Sequence, residues 1–268
     1  MDHALKPLAV VTGASSGIGY QLAIQFARNG YDLLIVSDTN AIREAAEDLR
    51  AFGTEVVAMQ LDLATLDGVD KLNRHIRAAG RPLSAAAINA GVGVGGRFCE
   101  TDLKDELNLI QLNVVGTWHL AKHVVQYMIE GGQGGKILFT SSIASLMPGP
   151  YEAVYSASKA FVQSLAMSLH FELKEKGISV TAVLPGPTDT NFFRRAGMQD
   201  TKVGVGDKED PAHVAEIAFK ALMDGKDQVV AGGLATKLQG GLSGLMPDQM
   251  KAARHADMVA PGSGQKHH

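Results

Sequence analysis

Residues 7–29 read PLAVVTGASSGIGYQLAIQFARN and divide at the glycines. Pro7–Thr12 is an apolar, β-branched run that stops at Gly13, and from Tyr20 to Asn29 the apolar residues recur at helical spacing. The pattern predicts a strand, a glycine turn and a helix. Gly13, Gly17 and Gly19 lie in the turn with Ser15, Ser16 and Ile18. Glycines there let backbone N–H groups approach a pyrophosphate, and the following helix N-terminus favours negative charge. A βα turn with no ligand is the other reading still open here.

The same unit repeats along the chain. Strands are predicted at 31–37, 55–60, 83–89, 136–140, 178–184 and 227–231, and helices at 41–52, 66–79, 102–129, 155–176 and 211–223. Alternating β and α units imply a parallel sheet covered by helices on both faces. No linker or shift in composition divides the chain, so residues 1–258 are expected to form one domain. The polar, Gly-containing residues 259–268 are expected to be a flexible tail. Residues 185–210 form the longest stretch without clear periodicity. Phe192, Phe193 and Met198 within it point to a segment that covers something hydrophobic.

Composition excludes several classes. With 46% hydrophobic and 20% charged residues over 268 positions, the chain suits an ordinary globular core rather than a disordered segment. A net charge of -3 gives no basic footprint for nucleic acid, and no polybasic run suggests a membrane partner. Cys99 is the single cysteine, so no internal disulfide is expected; no CxxC or clustered Cys/His spacing points to a metal site, so none is expected; and a cytoplasmic, reducing setting fits. The first apolar run breaks at Thr12–Gly13, too short for a signal or membrane segment.

A second stretch, FTSSIASLMPGPYEAVYSASK at 139–159, carries chemistry. On a helix, Tyr155 and Lys159 at i and i+4 share a face, so an ammonium can lie beside a phenol and favour the phenolate. A phenol of lowered pKa can transfer protons, and Ser142 offers a hydroxyl to hold a substrate oxygen against it. Asp38, at the end of the second strand and nineteen residues beyond Gly19, is where a carboxylate accepts hydrogen bonds from an adenosine ribose and repels a 2'-phosphate. No Arg or Lys stands at 15, 16, 37 or 39, so NAD is favoured over NADP. An N-cap role for Asp38, beside Asn40, is the competing reading.

TGASSGIG at 12–19, NAG at 89–91, Asn113, Ser142 and YSASK at 155–159 together resemble the short-chain dehydrogenase/reductase family, in order and spacing, over residues 7–190. The resemblance implies a single-domain Rossmann fold with a doubly wound, seven-stranded parallel sheet, a nicotinamide cofactor, and hydride transfer between an alcohol and a carbonyl. By position it makes Tyr155 the acid/base, Lys159 the cation that lowers its pKa and holds the nicotinamide ribose, Ser142 the group orienting the substrate oxygen, and Asn113 the residue fixing a water in the relay. Asp62, with Leu63, resembles the adenine contact; Asn89, Ala90 and Gly91 resemble the turn beside the ribose. Pro185, Gly186, Thr188 and Thr190 resemble the segment that holds the carboxamide and phosphate, although Thr188 stands at the family's usual Val position. Val92, Val94, Phe98, Met147, Pro148, Phe192 and Phe193 are expected to line a mainly apolar pocket for a lipophilic ketone or secondary alcohol. An NADPH-dependent reductase of activated ketones and a non-catalytic nucleotide-binding regulator are the alternatives. Helices 102–129 and 154–176 are apolar around much of their circumference, which predicts a homodimer or homotetramer.

Overall fold

The computed structural model describes residues 6–233, 236 and 246–265. Its strands are β1 (Leu8–Thr12), β2 (Asp32–Ser37), β3 (Val56–Gln60), β4 (Leu83–Ile88), β5 (Gly135–Thr140), β6 (Ile178–Pro185) and β7 (Gln228–Ala231). They form one sheet in the order β3-β2-β1-β4-β5-β6-β7. Every neighbouring pair is parallel. The helices are α1 (Gly17–Arg28), α2 (Ile42–Arg50), α3 (Leu66–Ala78), α4 (Leu103–Ile110), α5 (Thr117–Gly131), α6 (Ala153–Leu173), α7 (Phe192–Arg195), α8 (Lys202–Val205), α9 (Pro211–Met223) and α10 (Asp248–Val259). This is the doubly wound Rossmann architecture.

Strand periodicity splits the core into two layers. In β1, Leu8 and Val10 face one way, against Val69, Leu72 and Ile76 of α3, Leu120 and Val124 of α5, and Val162 of α6. Ala9 and Val11 face the other way, against Leu22 and Phe26 of α1, Ile42 of α2, and Val214 and Phe219 of α9. A strand buried on both faces is necessarily an unbroken apolar run, which is why LAVVT is legible as a central strand. Phe26 is fully buried and meets Tyr31 and Phe219 edge to face at 5.1 Å in each case. Its truncation to Ala costs about 3–5 kcal/mol.

The chain winds outward from β1 to β3 and then returns to lay β4 on the opposite side of β1. At that reversal the loops leaving β1 and β4 part, and a crevice opens at the carboxyl ends of the strands. Asp32 locks the other end of the sheet: it accepts from Thr54 Oγ1 at 3.1 Å, Glu55 N at 3.0 Å and Arg81 at 2.8 Å.

Three expectations change. The single helix expected over 102–129 is α4 and α5 joined by a π-helical turn, Gln111–Gly116. Thr117 Oγ1, at the start of α5, donates back into it to Leu112 O at 3.3 Å. Gly116 packs so closely on the Leu63 carbonyl that a side chain there would collide. The stretch 185–210 is not a bare loop: it contains α7 and α8, and Thr188 pairs with Glu209 in a parallel bridge. The expected tail does not begin at 259. Val259 is buried, Gly264 N donates to Asp200 O at 2.8 Å, and Lys202 N donates to Ser263 Oγ at 2.9 Å. These bonds answer backbone groups that a solvated tail would leave to water, and only 266–268 lie outside the described residues.

Candidate active site

The crevice is a cleft of ≈ 490 Å³ that runs from the first glycine turn to Tyr155. At its nucleotide end, Gly13 and Gly17 have φ of 68° and 57°, a region that L side chains avoid. A Cβ at Gly19 would strike the Gly13 carbonyl, so the turn closes only with hydrogen at that position. Ser16 stands at the N-cap of α1 without making a side-chain cap, and Ser15 Oγ pairs with Ser37 Oγ at 2.8 Å. The first amides of α1 are thus left without a side-chain cap at the end of the cleft where Ser15, Ser16 and Ile18 form the wall.

Thr12 and Asn89 join the ends of β1 and β4. Thr12 Oγ1 accepts from the amides of Asn89 at 2.9 Å and Ala90 at 3.0 Å. Asn89 Nδ2 donates to Thr12 O at 3.1 Å, and Thr140 Oγ1 donates to Asn89 Oδ1 at 2.9 Å. Asp38 is exposed on the cleft and accepts from Ser37 Oγ at 3.2 Å. It does not cap α2, whose N-cap is Ala41, so the competing reading of Asp38 falls. Asp62 also borders the cleft, but its Oδ1 accepts from Ala64 N at 2.9 Å, while the Leu63 side chain is buried in the core.

Tyr155, Lys159 and Ser142 line the opposite end, and Asn113 is buried next to them against Gly91. Lys159 Nζ lies 5.8 Å from the Tyr155 ring centroid and donates to Thr140 O at 2.9 Å. A Cβ on Gly91 would lie 3.2 Å from both Asn113 Oδ1 and Lys159 Nζ, so both groups close in on the same glycine. The Asn113 side chain accepts from Val92 N at 3.0 Å and donates to Val92 O at 2.9 Å and Ser158 Oγ at 3.1 Å. The π turn supplies this register: it points Asn113 inward between the loop after β4 and helix α6. Pro185, Gly186, Thr188 and Thr190 complete the rim, and a Cβ on Gly17 would meet Thr190 Cγ2 at 2.9 Å.

The electrostatics differ from the sequence expectation. Burial pushes the Tyr155 phenol well above its ordinary value, the Glu152 carboxylate adds to the rise, and only the Ser142 hydroxyl opposes it. Burial lowers Lys159 to about 8. In the protein alone, desolvation therefore outweighs any lowering of the phenol by the ammonium, because both groups sit in a dry interior.

Of the apolar residues expected in the pocket, Val92, Met147, Phe192 and Phe193 line the cleft, and Val94 packs beside Tyr155. Phe98 and Pro148 are exposed instead. Phe192 lies 5.1 Å from the Tyr155 ring, centroid to centroid, so the 185–210 segment does cover the site. Among the arginines of these loops, Arg195 reaches the rim.

Glu152 and His255, missed from sequence, also face the cleft. His255 Nε2 lies 3.1 Å from Glu152 Oε2, and each side chain is 6% exposed. That nitrogen has no hydrogen bond among the described residues. Tyr151, just before Glu152, has φ of 65°, a strained setting for a non-glycine residue at the entrance to α6. Glu152 was visible as a charge in an apolar stretch next to Tyr155. His255 is 103 positions further on and only the fold brings it there.

A parallel sheet with a glycine-lined cleft at its switch point defines the nucleotide-binding α/β class. A family model described as short chain dehydrogenase matches residues 7–201, and the chain belongs to that family of oxidoreductases. It is 34% identical over 194 residues to the uncharacterized oxidoreductase YmfI of Bacillus subtilis, covering 71% of this chain and 78% of that one. The structure of a short-chain dehydrogenase from Sphingobium yanoikuyae in complex with NADPH superimposes with a TM-score of 0.78 at 31% identity, covering 90% of this chain and 94% of that one. One from Burkholderia phymatum in complex with NAD gives 0.80 at 25% identity over the same shares. The family implies a nicotinamide dinucleotide, and the residues present fit it: glycines 13, 17 and 19 leave a cradle that side chains would fill, at the open end of α1.

Proposed function

We propose that the protein moves hydride between a nicotinamide cofactor and a ketone or secondary alcohol. The observation that carries this reading is the convergence of Ser142, Tyr155 and Lys159 at one end of a cleft whose other end is the glycine turn, with Asn113 buried beside them on Val92 and Ser158. When bound, the nicotinamide supplies or accepts the hydride at its C4. The chain's residues do the rest. The Ser142 hydroxyl and the Tyr155 phenol hold the substrate oxygen. The raised pKa of the phenol keeps its proton in place to be given to a carbonyl oxygen during reduction. Lys159 returns a proton toward the phenol, and Asn113 fixes the backbone at Val92 beside it.

NAD is the cofactor this reading favours, supported by the Asp38 carboxylate at the end of β2. The hydroxyls of Ser15, Ser37 and Thr39, linked at 2.8–3.4 Å, favour the second reading, in which a 2'-phosphate accepts from them. Fluorescence titration with NADH and NADPH, paired with Tyr155→Phe, tests both. Tyr155→Phe is expected to bind cofactor within about 2-fold of wild type and to lose at least about 100-fold in turnover. Turnover near wild type overturns the role of Tyr155, tighter binding of NADPH overturns the cofactor preference, and binding of neither overturns the enzyme.

The substrate is a largely apolar carbonyl compound that carries a second oxygen function. Val92, Met147, Phe192 and Phe193 supply the apolar wall. A carboxylate–imidazole pair is costly to bury, and the His255 Nε2, 3.1 Å from Glu152 Oε2 but without a well-aligned hydrogen bond, supports a bond to that second oxygen. The enzyme works as a homo-oligomer, supported by exposed apolar side chains on α4, α5 and α6, and in a reducing cytoplasm, supported by the exposed free thiol of Cys99.

A further inference from the structure

Away from the cleft, α3 and α5 bring three ligand-type atoms to one point. His119 and His123 are four residues apart on α5 and share a face, and Asp70 projects from α3. The two Nε2 atoms are 3.0 Å apart, and each lies 3.2 Å from the same carboxylate oxygen, Asp70 Oδ1. None of the three residues lines the cleft.

Protons do not reconcile these three contacts. If both Nε2 atoms carry hydrogen, Asp70 accepts from each, but two N–H groups face one another at 3.0 Å. If only one carries hydrogen, the other turns a lone pair toward the carboxylate at 3.2 Å. A cation resolves all three, because every lone pair becomes a ligand. The triangle also has the right size: bonds of about 2.0–2.1 Å at tetrahedral angles put ligand atoms about 3.3 Å apart.

We infer that Asp70, His119 and His123 form a binding site for a borderline divalent cation of the Zn²⁺ type. Imidazole and carboxylate donors suit Zn²⁺, and a His pair at i, i+4 on one helix face is a spacing that holds it. The ion takes three protein ligands and one water, and it ties α3 to α5 across the outside of the sheet. The site is partly exposed, and His119 Nδ1, buried without a hydrogen-bond partner among the described residues, lacks the acceptor that would orient a ligating ring. Such an acceptor is worth about 10–100-fold in affinity, so binding in the micromolar range is expected rather than nanomolar.

The test uses the full chain stripped with a chelator. Zn²⁺ titrated calorimetrically should bind with one equivalent removed in the double variant His119→Ala/His123→Ala, which keeps every other histidine of the chain. Co²⁺ should give the visible absorption of a tetrahedral ion in wild type and not in that variant. Saturating Zn²⁺ should raise the wild-type Tm by a few degrees and leave the variant's unchanged. Asp70→Asn, at a half-exposed position, is the check if the double variant folds poorly, and should weaken binding about 10-fold or more. Equal uptake by wild type and either variant, or no uptake by wild type at 100-fold excess of about 1 µM protein, overturns the site.

Discussion

Lys159 is 5% exposed and its pKa falls to about 8 from 10.5 because the ammonium is held in a dry interior. The folded protein therefore binds fewer protons at this residue than the unfolded chain between pH 8 and 10.5. Stability linked to it rises with pH across that window, by at most about 1.4 kcal/mol per pH unit. Tyr155, Tyr31 and Tyr20 have raised pKa values and act in the opposite sense only above pH 10. Cofactor-free Lys159→Met removes the lysine effect. Urea midpoints at pH 7, 8, 9 and 9.8 should show wild type gaining on the variant from pH 8 upward; parallel curves contradict a lowered Lys159. The lost bond to Thr140 O weighs equally at each pH and cancels. The pairing of Tyr155 with Lys159 was legible as an i, i+4 spacing, but the sign of the phenol's shift was not, because desolvation depends on what the fold packs around it.

At the scale of the element, α10 brings His255 to the wall of the cleft, where the proposed function gives it a part in substrate recognition. No helix is read from the sequence over 248–259, and nothing in its spacing tells which residue looks inward. Packing against α8 and the 192–203 segment buries Val259 and sets His255 on Glu152. His255→Leu conserves size and removes the hydrogen-bonding nitrogen. Its KM for 1-phenyl-1,2-propanedione should rise about 10-fold or more while its KM for propiophenone stays within about 2-fold, with kcat little changed. Equal changes for both ketones contradict recognition of a second oxygen and assign the residue to packing. The π turn before α5 teaches the same point. Hydrophobic periodicity read one long helix over 102–129; the inserted residue that turns Asn113 inward leaves no periodic signature, and the fold accepts it because Asn113 gains three hydrogen bonds.

For the whole molecule, the outer faces of α4, α5 and α6 carry Leu103, Leu107, Trp118, Phe161 and Phe171 exposed, the last at 84%. Apolar surface so concentrated supports the proposed homo-oligomer, in which a partner would cover it. Light scattering at micromolar concentration should give a dimer or tetramer, and Trp118→Glu/Phe171→Glu should shift it to monomer with the circular dichroism of the fold retained. A wild-type monomer contradicts the assembly. No helix among the described residues is long and apolar enough to cross a membrane.

What the sequence determined by itself is local and periodic. Alternating strand and helix patterns gave the order of elements, and glycines at 13, 17 and 19 marked the turn, because those positions tolerate only hydrogen. Tyr155, Lys159, Ser142 and Asn113 were visible as motifs in order. Only the tertiary structure decided the rest: that β4 returns beside β1 and opens the cleft, that His255 meets Glu152, and that Asp70 meets His119 and His123. Those contacts join residues tens of positions apart through packing, and no local spacing encodes which faces of two distant elements will touch.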